Sequence, residues 1–270
     1  MILDQTYYFL KTKYKSQIRN LKITDVRIGL FISAVQLSDG SCGVASSDVG
    51  GQPHCAKKNR DFGDFTPLKI KGQKVMELFE TDKRSNLTDT LKIAVLNAIS
   101  SRLLSASDYK VLVNCDPIDL IELKSQKTIT IVGGFQSYIQ KISETNNKLY
   151  VLELNENALN ENQKKFYVPA NEYAKILPLS DIVIITGLTL VNNTIDGLLS
   201  AIAPKAQVIV TGPSSSLIPD ILFENGVSII GATRITNPDL CFQVVGEGGA
   251  GYHLFEYCAQ KICILNGKKK

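Results

Sequence analysis

The chain has 270 residues, 44% hydrophobic and 21% charged, with a net charge of +4 and no tryptophan. That length supports one large domain or two ordinary ones, and the composition excludes a disordered, fibrous or disulfide-stapled chain. The weak positive charge has no concentrated basic face, which argues against nucleic-acid binding, and no apolar run reaches the ~20 residues that span a bilayer.

Residues 1–10 include Asp4 and lack the basic flank and cleavage site of a secretion signal, so a cytoplasmic location is expected. Cysteines at 42, 55, 115, 241, 258 and 263 make no C-x-x-C pair, which disfavours structural zinc, and a reducing compartment disfavours disulfides. Cys115, Cys241 and Cys263 sit among apolar residues and are expected as small buried hydrophobes.

In chain order, residues 25–37 read as one strand, turned by 38–41 into an antiparallel partner at Cys42–Ser46. A polar loop of ~20 residues follows, a length that often marks function. It carries His54-Cys55, with Cys42 and Asp48 close in sequence. Imidazole beside thiolate makes His54 and Cys55 candidate soft-metal ligands, set against the plainer reading of a polar loop. Thr88-Asp89 then caps a helix to about 104 whose main apolar stripe is Leu91, Val95, Ala98, Ile99 and Leu103. Its other face, with Ile93, Asn97, Ser100 and Ser101, is mixed and suits contact with another unit or a cleft.

Beyond residues 105–127 strands and helices alternate. Strands are predicted at Thr128–Val132, 148–154, 181–186, Gln207–Thr211 and 227–232, and helices at 135–142, 194–203, 218–225 and 238–245. This alternation predicts a doubly wound α/β sheet, whose ligands bind beyond the carboxyl ends of its strands.

Four segments fall at such ends. Gly133-Gly134-Phe135 brings backbone N–H groups to a helix start but is not a G-x-G-x-x-G fingerprint, and a ligand-free tight turn is an equal reading. Glu153, 20 residues after Gly133, stands where a carboxylate can accept from ribose hydroxyls, or is simply solvated. The stretch 186–194, with Thr186, Gly187, Thr189 and Asn192, is denser in hydroxyls and amides than helix capping by Asn193 or Thr194 requires, which favours a ligand contact. Asp196 just beyond reads as structural. Gly212-Pro213 with Ser214, Ser215 and Ser216 resembles an anion or metal-ligand cradle. His253, after a glycine-rich run at 246–251, reads as an exposed loop residue or part of a lid.

The ordered succession DIVIITGLTLVNNTIDGLL (181–199), GPSSSLIP (212–219), NGVSIIGA (225–232) and TNPD (236–239) resembles the C-terminal domain of the putative heavy-metal chelation family, a former domain of unknown function. VRIGLFISAV (26–35), GVAS (43–46) and AVLNA (94–98) resemble its N-terminal partner domain. The resemblance implies an enolase N-terminal-like α+β domain over 1–106 and a Rossmann-like α/β domain over 107–270, linked near 105–127. It implies a cleft between them for a small molecule or metal chelate, with a heavy or transition metal as the associated ion. It carries over Ser33, Ser46 and Asn97 from the first domain, and Gly133, Phe135, Glu153, Thr186, Gly187, Thr189, Asn192, Gly212, Pro213 and Ser214 from the second. The alternative is an enzyme using S-adenosylmethionine or NAD in the Rossmann-like domain, less favoured without the glycine fingerprint. No nucleic acid or membrane partner is expected. Whether the chain is an enzyme stays open, and apolar helix faces leave a homo-oligomer open too.

Overall fold

The computed structural model describes residues 1–48 and 62–268. Strands β1 (Ile23–Ile28), β2 (Ile32–Leu37) and β3 (Cys42–Ser46) form an antiparallel sheet in the order β1-β2-β3. The single strand expected over 25–37 is therefore a hairpin. The chain reverses at Gly29-Leu30-Phe31, where Gly29 N–H donates to Ile32 C=O at 3.1 Å. An apolar run continuous across a tight turn does not betray the turn by its hydrophobicity.

The remaining strands are β4 (Tyr109–Val113), β5 (Thr128–Val132), β6 (Lys148–Glu153), β7 (Tyr167–Pro169), β8 (Ile182–Thr186), β9 (Gln207–Thr211), β10 (Val227–Ile235) and β11 (Ala259–Lys268). They form one sheet in the order β4-β11-β10-β9-β8-β5-β6-β7. The six strands from β10 to β7 run parallel, while β11 pairs antiparallel with both β10 and β4. Going along the chain, connections leave β5 toward β6 and β7, then return to β8 and proceed the other way. The sheet order therefore reverses between β5 and β8, where a crevice opens beyond the strand ends.

Alternation along each strand sorts side chains into two cores. Val132, Val183, Ile185, Val210 and Ile230 face the first part of the chain. Ile129, Ile131, Ile184, Ile209 and Cys263 face the opposite side with Ile139 and Ile142 of the helix Gln136–Ser143. The small sheet is also covered twice. Val35, Leu37 and Ala45 meet the long helix Asn86–Ser105, whereas Ile32, Ala34 and Val44 meet Cys241, Val245 and Leu254.

The long helix starts a turn earlier than expected. Ser85 is its N-cap, accepting from Thr88 N–H at 3.1 Å while Thr88 Oγ1 accepts from Ser85 N–H at 2.9 Å. Residues 93–100 of this helix are buried without a break, which marks a helix enclosed on all sides. At Gly43 a Cβ would lie 2.2 Å from Ala94 C=O and 2.3 Å from Ala98 N, so only glycine lets β3 approach the helix this closely. An N-terminal helix, Ile2–Lys13, had no counterpart in the sequence reading. Its Ile2 N–H donates to Asp196 Oδ1 at 2.9 Å across 194 residues of sequence, the structural role expected of Asp196. Strand β4 falls inside 105–127, β7 has only three residues, and β11 has a short apolar run, Ile262–Leu265, between polar ends, so none of the three is among the predicted strands. Among the described residues no helix is long and apolar enough to cross a membrane.

Candidate functional site

The carboxyl ends of β5, β6 and β8 surround a cavity of about 500 Å³. Gly133, Glu153, Thr186, Thr189 and Asn192 line it, as do Tyr173 and Asn193. Gly133 has φ +109, and a Cβ there would come within 3.1 Å of the Thr186 side chain, so glycine shapes the turn between strand and helix. The Glu153 carboxylate is locally anchored: Oε1 accepts from Leu154 N–H at 2.7 Å and Asn155 N–H at 3.2 Å. Oε2 has no hydrogen bond among the described residues and lies 3.6 Å from where a Gly134 Cβ would stand. One carboxylate oxygen is thus fixed by the backbone and the other is left for a donor.

Local bonds occupy part of the 186–194 wall. Thr189 Oγ1 donates to Thr186 C=O at 2.7 Å, and Thr194 Oγ1 donates to Asn192 Oδ1 at 2.7 Å. Capping by Asn193 or Thr194 side chains, as expected from sequence, is not seen: Asn192 Oδ1 instead accepts Thr194 N–H at 3.3 Å.

A second cavity of about 540 Å³ adjoins the first, and Gly134 lines both. Of the sequence candidates it takes Phe135, Gly212 and Pro213. Sequence reasoning missed its polar group. The Tyr138 hydroxyl donates to Asp116 Oδ1, and Lys261 Nζ sits 2.7 Å from Asp116 Oδ2. Burial raises the Asp116 carboxyl, but Lys261 and Tyr138 outweigh it and hold its pKa below the usual aspartate value. Burial and the neighbouring Asp116 push the Tyr138 phenol upward. Asp116, Tyr138 and Lys261 are spread over 145 residues, and the one local sign was Asp116-Pro117, which reads as a turn.

Ser33, Ser46, Asn97 and Ser214 line neither cavity, and no other described residue of 1–106 does, so neither is the cleft expected between the two parts of the chain. Ser46 N–H donates to Ser214 Oγ at 2.8 Å, and the Asn97 amide donates to Val44, Pro213 and Ser214 carbonyls at 2.7, 3.3 and 3.2 Å. Ser33 Oγ lies 2.8 Å from Ser47 Oγ. Gly187 donates its N–H to Thr211 C=O at 2.7 Å and packs on Ser214 and Ser215. The cradle expected at Ser214–Ser216 is corrected. Ser215 Oγ donates to Gly212 and Gly231 carbonyls and Ser216 Oγ accepts from Thr233 N–H, so these buried hydroxyls are already used. His253 is not the exposed loop residue expected: it is half-buried in the helix Gly251–Tyr257, and its Nδ1 accepts from Ala250 N–H at 3.0 Å.

Among the described residues no group of three or more His, Cys, Asp or Glu side chains is placed to hold a metal ion. The His54–Cys55 pair lies outside the described residues. Cys241 and Cys263 are buried as expected and Cys258 is buried too, whereas Cys115, expected to be buried, is half-buried and lines the second cavity. Burial and neighbouring thiols push Cys241, Cys258 and Cys263 away from the thiolate form that soft metals require.

These features define a mixed α/β protein with adjoining cavities at the carboxyl tips of a mostly parallel sheet. The chain belongs to the putative heavy-metal chelation family: two family models of that description match residues 116–264 and 11–100. It is similar over 98% of its length to a protein of unknown function from the DUF364 family of Pyrococcus horikoshii, at 22% identity and TM-score 0.78, covering all of that chain. A DUF364 protein of Desulfitobacterium hafniense, also of unknown function, aligns over 96% of this chain and 99% of its own at 17% identity and TM-score 0.72. An uncharacterized protein of Methanocaldococcus jannaschii is 26% identical over 156 residues, 56% of either chain, so the match spans about half that relative's length.

Proposed function

We propose that the protein binds a small, donor-rich polar ligand in the cavity at the ends of β5, β6 and β8, and that a heavy metal reaches it as a chelate rather than as a bare ion. The observation that carries this reading is Glu153, whose Oε1 is anchored by two backbone N–H groups and whose Oε2 is free. Thr186, Thr189 and Asn192 supply further hydrogen-bonding positions around it. The donor set argues for a chelate. Glu153 is the only acid lining this cavity among the described residues, and a single carboxylate holds a soft cation poorly. The outer hydroxyl or amine groups of a chelating molecule would match the wall instead.

The reversal of strand order between β5 and β8 supports a Rossmann-like unit over 107–270, since β7-β6-β5-β8-β9-β10 follows the 3-2-1-4-5-6 pattern of dinucleotide-binding sheets. The enolase N-terminal-like character of 1–106 rests on the antiparallel sheet packed against one long helix. In this reading the two units are held together at Asn97 and Ser214.

Calorimetric titration with nickel–triethylenetetramine, whose coordinated amines turn N–H donors outward, with triethylenetetramine alone and with free Ni²⁺ tests the proposal. The chelate should bind and stabilise the chain, by ~2.7 kcal/mol at a hundred times its Kd, and Glu153→Ala or Asn192→Ala should weaken it. Equal binding of the free ion, or indifference to both substitutions, overturns it. Glu153 also favours a second reading, because a free carboxylate oxygen at the end of β6 is placed as an acceptor for a ribose diol. S-adenosylmethionine or NAD binding that disappears in Glu153→Ala would select this reading over the chelate.

A further inference from the structure

The second cavity differs in chemistry from the first. Phe135 and Tyr138 stack at 5.4 Å between centroids with 19° between planes, and Tyr252 and Phe255 line it from a separate helix. At about 540 Å³ it has the volume of a small-molecule site. Among the described residues Lys261 is the one cation that lines it, with Nζ 5.4 Å from the Phe255 ring centroid. Asp116 is the one acid there, and its oxygens are engaged: Oδ1 by Tyr138 and by Ile118 N–H, Oδ2 by Lys261. A lysine ammonium has three N–H donors, and only one is spent on Asp116. Thr233, 5% exposed, also lines the cavity, and its hydroxyl oxygen has no hydrogen-bond partner.

We infer that this second cavity is a binding site for a flat aromatic carboxylate, with the ring among Phe135, Tyr138, Tyr252 and Phe255 and the carboxylate on Lys261. Charge selects the ligand. The acid is saturated and the base is not, so the cavity offers donors to an anion and little to a cation. A phosphate would need more than one cation or a nest of backbone N–H groups to match its charge. One ammonium beside aromatic faces fits a single negative charge, on a carboxylate attached to an aromatic ring. The inference does not depend on occupancy of the first cavity.

The test is fluorescence titration of the full chain with 2-naphthoate, read against no tryptophan background. The wild-type chain should bind it. Lys261→Met and Lys261→Gln should each weaken it about tenfold or more, and Phe135→Ala should weaken it as well. The cation 2-naphthylmethylammonium should bind at least tenfold more weakly than the carboxylate. Glu153→Gln, in the other cavity, should leave 2-naphthoate binding unchanged, which separates failure here from failure of the chelate reading. No binding of 2-naphthoate, wild-type affinity in both Lys261 variants, or equal affinity for the ammonium overturns the inference.

Discussion

The side-chain amide of Asn97 donates to the backbone carbonyl of Ser214 at 3.2 Å, joining the long helix to the tip of β9 across 117 residues of sequence. The same amide reaches Val44 and Pro213 carbonyls, and Ser214 Oγ accepts Ser46 N–H. Three segments thus meet at one buried side chain, which is 1% exposed.

Asn97→Ala should therefore destabilise the chain by about 1–3 kcal/mol, since three carbonyls lose a buried donor. The loss is tempered because Asn97 Oδ1 is itself buried without a partner and is deleted too. Asn97→Asp should cost more at pH 7, where a carboxylate would face three carbonyl oxygens, and less once it is protonated. Urea denaturation at pH 7 and pH 4.5 measures both.

Gly133→Ala and Gly134→Ala should separate sharply. At Gly133 the φ of +109 and a 3.1 Å approach to Thr186 predict a loss of about 1–3 kcal/mol. At Gly134 an added Cβ would meet its neighbours at 3.5–3.6 Å, ordinary contact distance, so stability should barely change. Thermal unfolding of the pair reads this difference.

Asp116 predicts a pH dependence. Its folded pKa is lowered despite burial, because Lys261 and Tyr138 stabilise the carboxylate. A depressed pKa gives stability that is complete above the unfolded aspartate value and is lost as pH falls through the folded one. Asp116→Asn should be less stable than wild type at pH 7 and should lose less stability below about pH 4. Denaturation midpoints from pH 7 to pH 2 test the slope.

Thiol chemistry should follow burial. Cys115 should be alkylated by iodoacetamide first among the described cysteines, while Cys42, Cys241, Cys258 and Cys263 react only on unfolding. Burial, helped by Cys241, pushes the Cys258 thiol up to about 12, so almost no thiolate exists there at pH 8. Peptide-resolved mass spectrometry with and without urea gives the order.

Local pattern made much of the second half legible. Runs such as IVIIT and QVIVT are continuous apolar stretches because parallel strands are covered on both faces, and they form β8 and β9. The hairpin at Gly29 and the N-terminal helix were harder. The first hides inside an apolar run, and the second has only a weak stripe and no capping side chain. Glu153, Thr186 and Asn192 were findable because strand ends on such a sheet point to its crevice. Asp116, Tyr138 and Lys261 were not, since nothing local links a turn, a helix and the antiparallel strand β11.

By itself the sequence determined the alternation of strands and helices, the apolar faces, and the polar character of the strand ends, because these depend on spacing over a few residues. Tertiary structure alone decided which of those polar ends stay open. Asn97 and Ser46 close over Ser214, while Glu153 keeps one oxygen toward a cavity. Hydrogen-bonding capacity is written in residue type, but whether it is spent within the chain or left for a ligand depends on partners more than a hundred residues away.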